Sequence, residues 1–153
     1  MNLDERLSTA LHVLLHLSGR DGPMTSTELA KCVGTNPVVV RRTMAGLRDA
    51  GVVGATKGHN GGWSLAADPE TVSLRDVHIA LGAPATFAVG LRNQGHGCLV
   101  EQAVNGVLEN ALLQADALLV EQLSRVTLAA LSNRVRLLAD TRQHHHAAHH
   151  HKS

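Results

Sequence analysis

The segment from Thr25 to Leu65 restricts the fold more than any other part of the chain. Thr25-Ser26-Thr27-Glu28-Leu29-Ala30 supplies a helix cap and a first turn, and Gly34 breaks the helix that it opens. Asn36-Pro37 starts a second helix. Asparagine is a good cap, and proline at the first helical position sacrifices no hydrogen bond. That helix holds Arg41, Arg42 and Arg48 and stops at Gly51. Val52-Val53 leads into Lys57-Gly58-His59-Asn60-Gly61-Gly62, and Trp63-Ser64-Leu65 returns. Helix, turn, helix and a glycine-tipped hairpin form the pattern of a winged helix-turn-helix, which sets one helix in the major groove of DNA.

The flanking segments fit this frame. A first helix is expected over Leu3 to Ser18, with Leu7, Leu11, Leu14, Leu15 and Leu17 on its apolar face, before the turn Asp21-Gly22-Pro23. The second helix covers Ser26 to Val33 and the third Pro37 to Ala50. In the third, Val40, Met44 and Leu47 recur at helical spacing and point inward, which sends Val38, Arg41, Arg42, Ala45 and Arg48 outward. The hairpin strands are Val52 to Thr56 and Gly62 to Leu65, with Gly58, Gly61 and Gly62 letting the tip turn tightly. Ser73-Leu74-Arg75-Asp76 resembles a capping box and opens a short helix through Ala80.

From Cys98 a long helical pattern runs to about Arg125, and Thr127 caps a last helix from Leu128 to Leu138. Leu99, Ala103, Val104, Val107, Leu108, Ala111, Leu112, Ala115, Leu118, Leu119 and Leu123 make a wide apolar stripe, with Glu101, Asn105 and Asp116 off it. A helix of about 28 residues spans on the order of 40 Å, more than the N-terminal fold needs. Its excess stripe is expected to pack against the same helix of a second subunit; the alternative is that it folds back on its own domain.

The expected fold is therefore mainly α: a winged helix-turn-helix domain with a two-stranded wing over residues 1–82, a connecting loop over 83–97, and dimerisation helices over 98–140. The histidine-rich tail over 141–153 is expected to lack fixed structure. The run His144 to His151, interrupted by Ala147-Ala148, reads either as a native metal-binding tract or as a purification device.

Composition narrows the function. With one Trp, one Phe and no Tyr, the core must be built from Leu, Val and Ala. No apolar run reaches membrane-spanning length, Asp4-Glu5-Arg6 is no signal peptide, and two cysteines make no disulfide scaffold, so a cytoplasmic location is expected. Net charge is only +1, but between Thr35 and Trp63 stand Arg41, Arg42, Arg48 and Lys57 against Asp49 alone. That asymmetry falls on the segment expected to meet DNA. His12 and His16 share a helix face, with no glutamate between them as in a zinc protease helix, so no enzyme and no metal site is read there.

Pro37 to Val53, with its arginine-bearing core Val40-Arg41-Arg42-Thr43-Met44, resembles the recognition helix of the Rrf2 family of bacterial winged-helix regulators. Lys57 to Ala66 resembles that family's glycine-rich wing, which usually continues with Tyr or Phe where this chain has Trp63. Val72-Ser73-Leu74-Arg75-Asp76-Val77 resembles its next block, and the likeness spans about residues 3 to 138. The resemblance implies a homodimer on double-stranded DNA carrying a partly palindromic operator, with each third helix in a major groove. By motif position, Val38, Arg41 and Arg42 face the bases, with Asn36, Val39 and Arg48 also at the interface. Arginines there read guanine through O6 and N7, or clamp phosphates. Ser26 and Thr27 are phosphate contacts at the start of the second helix, and Lys57, His59 and Asn60 take that role in the wing.

Relatives that bind an iron–sulphur cluster carry three closely spaced cysteines before the long helix. This chain keeps only Cys98, with Glu101 and Ser8 where some relatives have further ligands. One thiolate cannot hold a cluster that needs about four protein ligands, so no cofactor is expected. The signal is then redox or a small molecule. Cys32, just before the recognition helix, and Cys98 are candidates for a thiol switch between subunits; the plain alternative is a buried, inert Cys32. An effector pocket lined by Phe87, Val89, Leu91 and Leu99 is the other possibility. The expected role is a transcriptional repressor. The competing class is a winged-helix protein-interaction module without DNA binding, which would not need outward arginines and a basic wing.

Overall fold

The structure is a computed structural model that describes residues 3–83 and 98–149. The order is α1 (Leu3–Ser18), α2 (Ser26–Val33), α3 (Pro37–Asp49), β1 (Val53–Thr56), β2 (Gly62–Leu65), α4 (Leu74–Ala80), α5 (Leu99–Ser124) and α6 (Leu128–His149). It is the expected winged helix-turn-helix with a long C-terminal helix.

Local chemistry sets the boundaries. Thr25 and Glu28 form a complete capping box on α2: the Glu28 N–H donates to Thr25 Oγ1, and Glu28 Oε2 accepts from the Thr25 N–H at 2.8 Å. Gly34 then closes α2 in the left-handed conformation, with φ 74°. Ser73 and Asp76 make the same box on α4. Thr127 Oγ1 accepts from the Ala130 N–H at 3.1 Å and so caps α6.

β1 and β2 pair antiparallel from Val53↔Leu65 to Thr56↔Gly62. Met24 pairs with Trp63 on the other edge of β2, exchanging N–H···O bonds of 2.8 and 2.9 Å. The wing is thereby tied to the residue that precedes α2. Gly62 makes this approach possible, because a Cβ there would stand 2.5 Å from the Met24 carbonyl oxygen. Gly46 does the same for α3 against α4, where a Cβ would meet the Ala80 carbonyl oxygen at 2.7 Å.

The core is aliphatic and drawn from several elements. Leu14 of α1, Leu29 of α2, Met44 and Leu47 of α3 and Val77 of α4 are all fully buried. Leu128 joins them, so the start of α6 belongs to this core. Backbone bonds hold it there: the Leu128 N–H donates to Val72 O and the Leu74 N–H to Val126 O, both at 2.9 Å. α6 continues past the expected stop at Leu138 and reaches His149, so part of the tail expected to be unstructured is helical. No glycine or proline interrupts residues 139–149, and Ala139, Arg142, Gln143, Ala147 and Ala148 are good helix formers.

α5 departs from the expected stripe. None of its residues is buried. Leu112, Leu119 and Leu123 are half-buried together with Glu101, Asn105 and Asp116. Val100, Val104, Val107, Leu108 and Leu118 are exposed instead. The wide stripe is thus two faces, and polar residues share the more covered one.

Candidate nucleic-acid interface

α3 divides its residues by chemistry. Val40, Met44 and Leu47 have no exposed surface, while Val38, Arg41, Arg42 and Arg48 are exposed and Val39 is half-buried. No ion pair among the described residues engages Arg41 or Arg42, whereas Arg48 Nη2 lies 3.2 Å from Asp49 Oδ1. The two forward arginines therefore offer uncompensated guanidinium groups, and Arg48 offers a partly neutralised one.

Asn36 is the cap that its place before Pro37 suggests. Its Oδ1 accepts from the Val38 and Val39 N–H groups, both at 3.0 Å, so its carbonyl serves the helix end. The start of α3 is capped from within, and its outward contribution comes from side chains. Lys57, His59 and Asn60 are exposed at the wing tip, with Asn60 in the left-handed conformation at φ 63°.

At the start of α2, Thr27 is exposed and Ser26 half-buried. Ser26 Oγ accepts a hydrogen bond of 2.9 Å from Trp63 Nε1 across 37 residues of sequence. The sequence marks Trp63 only as a place in the wing motif; the pairing depends on the Met24 bridge, which no local signal announces. The structure thus brings helix-turn-helix and wing into one bonded unit.

The Rrf2 family profile, described as an iron-dependent transcriptional regulator, matches residues 3–134. The chain belongs to the Rrf2 family. It is similar to the candidate HTH-type regulator YwnA of Bacillus subtilis, with 28% identity over 131 residues, 86% of this chain and 97% of that one. In fold it resembles a candidate transcriptional regulator from Lactobacillus plantarum, at TM-score 0.74 and 23% identity, covering 94% of this chain and 97% of that one. It also resembles CymR, the global cysteine regulator of Bacillus subtilis, at TM-score 0.61 and 20% identity, covering 84% and 94%. As an Rrf2 protein it is a DNA-binding transcriptional regulator.

The iron in that family description meets a poor donor set here. This Rrf2 chain has two cysteines in all, and they sit on different elements: Cys32 in α2 and Cys98 at the start of α5. No group of three or more His, Cys, Asp or Glu among the described residues is placed to hold a metal ion. His12 and His16 stack on α1 with ring centroids 4.9 Å apart. Burial, and then the neighbouring His12, push the His16 pKa down. The residues do not fit a thiolate-bound cluster.

Both thiols are free and exposed, so Cys32 is not the buried residue of the plain alternative. The N–H groups of Glu101 and then Val100 hold the Cys98 thiol below its ordinary pKa, although its sulphur makes no regular capping hydrogen bond. Of the expected effector pocket, Phe87, Val89 and Leu91 lie outside the described residues, and Leu99 is 79% exposed. A cavity of about 600 Å³ lies elsewhere, between α1 and α6, lined by Leu15, Ser18, Ser132, Val135 and Arg136 among others. No described helix is long and apolar enough to cross a membrane.

Proposed function

We propose that the protein is a homodimeric operator-binding repressor, with α3 of each subunit in a major groove and each wing on the flanking backbone. The observation that carries this reading is the split of α3: three fully buried apolar residues on one side, and Arg41 and Arg42 exposed without a protein partner on the other. Exposed guanidinium groups beside a half-buried Val39 suit a base edge or a phosphate, not a protein core. The same feature weighs against an interaction module without DNA.

Dimerisation rests on α5. A helix with apolar residues on most of its circumference needs cover, and its own chain leaves Val100, Val104, Val107 and Leu118 more than half exposed. A second α5 supplies the cover and sets the two reading heads apart. Occupancy of the operator suffices for repression. For the signal we favour thiol chemistry at Cys98, exposed and disposed to the thiolate, over a cluster that the donors do not fit.

Selection of bound duplexes from a random pool tests this reading. A partly palindromic site with half-sites about one helical turn, roughly 10 bp, apart is expected. Failure to enrich any site, or a single unpaired half-site, would overturn it. Mild oxidant should change the affinity of the wild type and not of Cys98→Ser; equal responses would remove the thiol from the account.

A further inference from the structure

We infer that Trp63 is a positioning residue of the DNA interface: its indole N–H holds the Ser26 hydroxyl as a phosphate donor and locks the wing to the start of α2. The inference rests on the proposal that α2, α3 and the wing face duplex DNA.

The hydrogen-bond inventory at the start of α2 singles out Ser26. The Thr25 N–H and hydroxyl both donate to Glu28 Oε2, and the Glu28 N–H donates to Thr25 Oγ1. Those groups are committed to the capping box. Ser26 is the first helical residue, and its hydroxyl lies outside the box. An indole nitrogen can only donate, so the 2.9 Å bond from Trp63 Nε1 occupies a lone pair of Ser26 Oγ. The hydroxyl keeps its proton, and no described residue accepts it. A hydroxyl that receives a hydrogen bond is polarised toward giving its own. The indole occupies its acceptor side, and its donor side remains for an acceptor outside the chain. Next to the N–H groups of a helix start, an anionic oxygen is the acceptor that fits.

The bond also has a mechanical consequence. Trp63 pairs through its backbone with Ala55 on one side and Met24 on the other, while its ring reaches α2. The wing is therefore tied to the segment that opens α2 at two points of one residue, its backbone and its ring. A wing placed in this way meets the duplex backbone at a fixed offset from α3, which reduces the ordering cost of binding.

Four proteins test this: wild type, Trp63→Phe, Ser26→Ala and the double variant. Each is titrated with the selected operator and with an unrelated duplex across a salt series, with thermal unfolding measured alongside. Each single change is expected to weaken both duplexes by about ten-fold, the scale of one hydrogen bond to a charged group. The salt slope should hold, because a neutral hydroxyl displaces no counterion. The double variant should bind no more weakly than either single one. As Trp63 is the one tryptophan of the chain, its indole N–H resonance reports the bond directly, and Ser26→Ala should move it.

Effects that multiply in the double variant would overturn the inference. So would single variants that bind like wild type while Arg41→Ala weakens specific binding, an outcome that leaves the DNA face standing. If the wild type ignores duplex DNA at low salt, the DNA face itself falls and this role of Trp63 with it. Should Trp63→Phe unfold, the Ser26→Ala affinity and indole shift decide alone.

Discussion

α3 and α5 are both amphipathic by sequence, yet they leave opposite surfaces to the outside. α3 buries Val40, Met44 and Leu47 completely and turns arginines outward. α5 buries nothing fully and turns Val100, Val104, Val107 and Leu118 outward. The outer face of α3 is satisfied by water or phosphate. The outer face of α5 is satisfied only by apolar cover, because exposing a continuous aliphatic strip costs about 25 cal/mol for each Å². One helix is finished by its own chain and offers unpaired guanidinium groups; the other leaves an aliphatic face that, in the proposed dimer, a copy of itself would cover.

The most severe way to break this contrast is to charge α5. Val107 is 72% exposed in the single chain, so Val107→Glu should leave the isolated subunit folded. In a dimer the carboxylate would be trapped at the seam, at about 3–5 kcal/mol for an unpaired buried charge. Sedimentation should then show monomers, and operator binding should collapse while the far-ultraviolet spectrum is kept. A dimer that survives would place the seam elsewhere.

The inner face of α3 comes next. Leu47→Ala should lower stability by about 2–5 kcal/mol in urea unfolding, since it opens a cavity in a fully packed site. Val38→Ala on the outer face, where 55% of the residue is exposed, should stay within about 0.5 kcal/mol. Similar losses at both positions would mean that α3 is not divided as described.

Changes to the outer face should appear in binding and not in stability. Arg41→Ala is expected to weaken the selected operator by about 1–3 kcal/mol and to relax base choice in each half-site. Lys57→Ala, at the wing, should weaken all duplexes alike and flatten the salt slope by about 0.9. If Arg41→Ala behaves as Lys57→Ala should, the helix arginine clamps phosphate and does not read sequence.

Much of this architecture could be read from residue order, for reasons that are local. Capping boxes at Thr25 and Ser73, the Asn36-Pro37 start and the glycines at 34 and 51 act over three or four residues, so helix limits from α1 to α4 emerge almost unchanged. What escaped is long-range. The Trp63–Ser26 bond and the Met24 bridge join segments far apart in sequence. Leu128 looks like any leucine of a C-terminal helix until the Val72 carbonyl draws it into the core. In α5 the stripe is so wide that periodicity alone could not tell the half-covered face of Leu112 and Leu119 from the open face of Val104 and Val107. Asn36 was legible for the same local reason as the other caps: its side-chain carbonyl serves the Val38 and Val39 N–H groups.

The two helix starts offer the finest test of the contrast. α2 opens on a carboxylate cap, and α5 opens on Cys98 without a regular side-chain cap. The Thr25 N–H, then its hydroxyl, hold the Glu28 carboxyl below its ordinary pKa, with Arg20 adding to this at 3.5 Å. A carboxyl whose pKa falls on folding stabilises the native state above its unfolded value, about 4.3, and loses that contribution as pH drops through the lower folded value. Glutamine keeps the box but not the charge, so the difference in melting temperature between wild type and Glu28→Gln isolates the ionised part. That difference should be small and positive at neutral pH, because the group is exposed, and should close below the carboxylate range. Cys98→Ser should leave this pH dependence as it is in the wild type, since it does not touch the Thr25–Glu28 box. A Glu28→Gln difference that stays level from neutral to strongly acidic solution would mean that the start of α2 is held by geometry alone, with no share from charge.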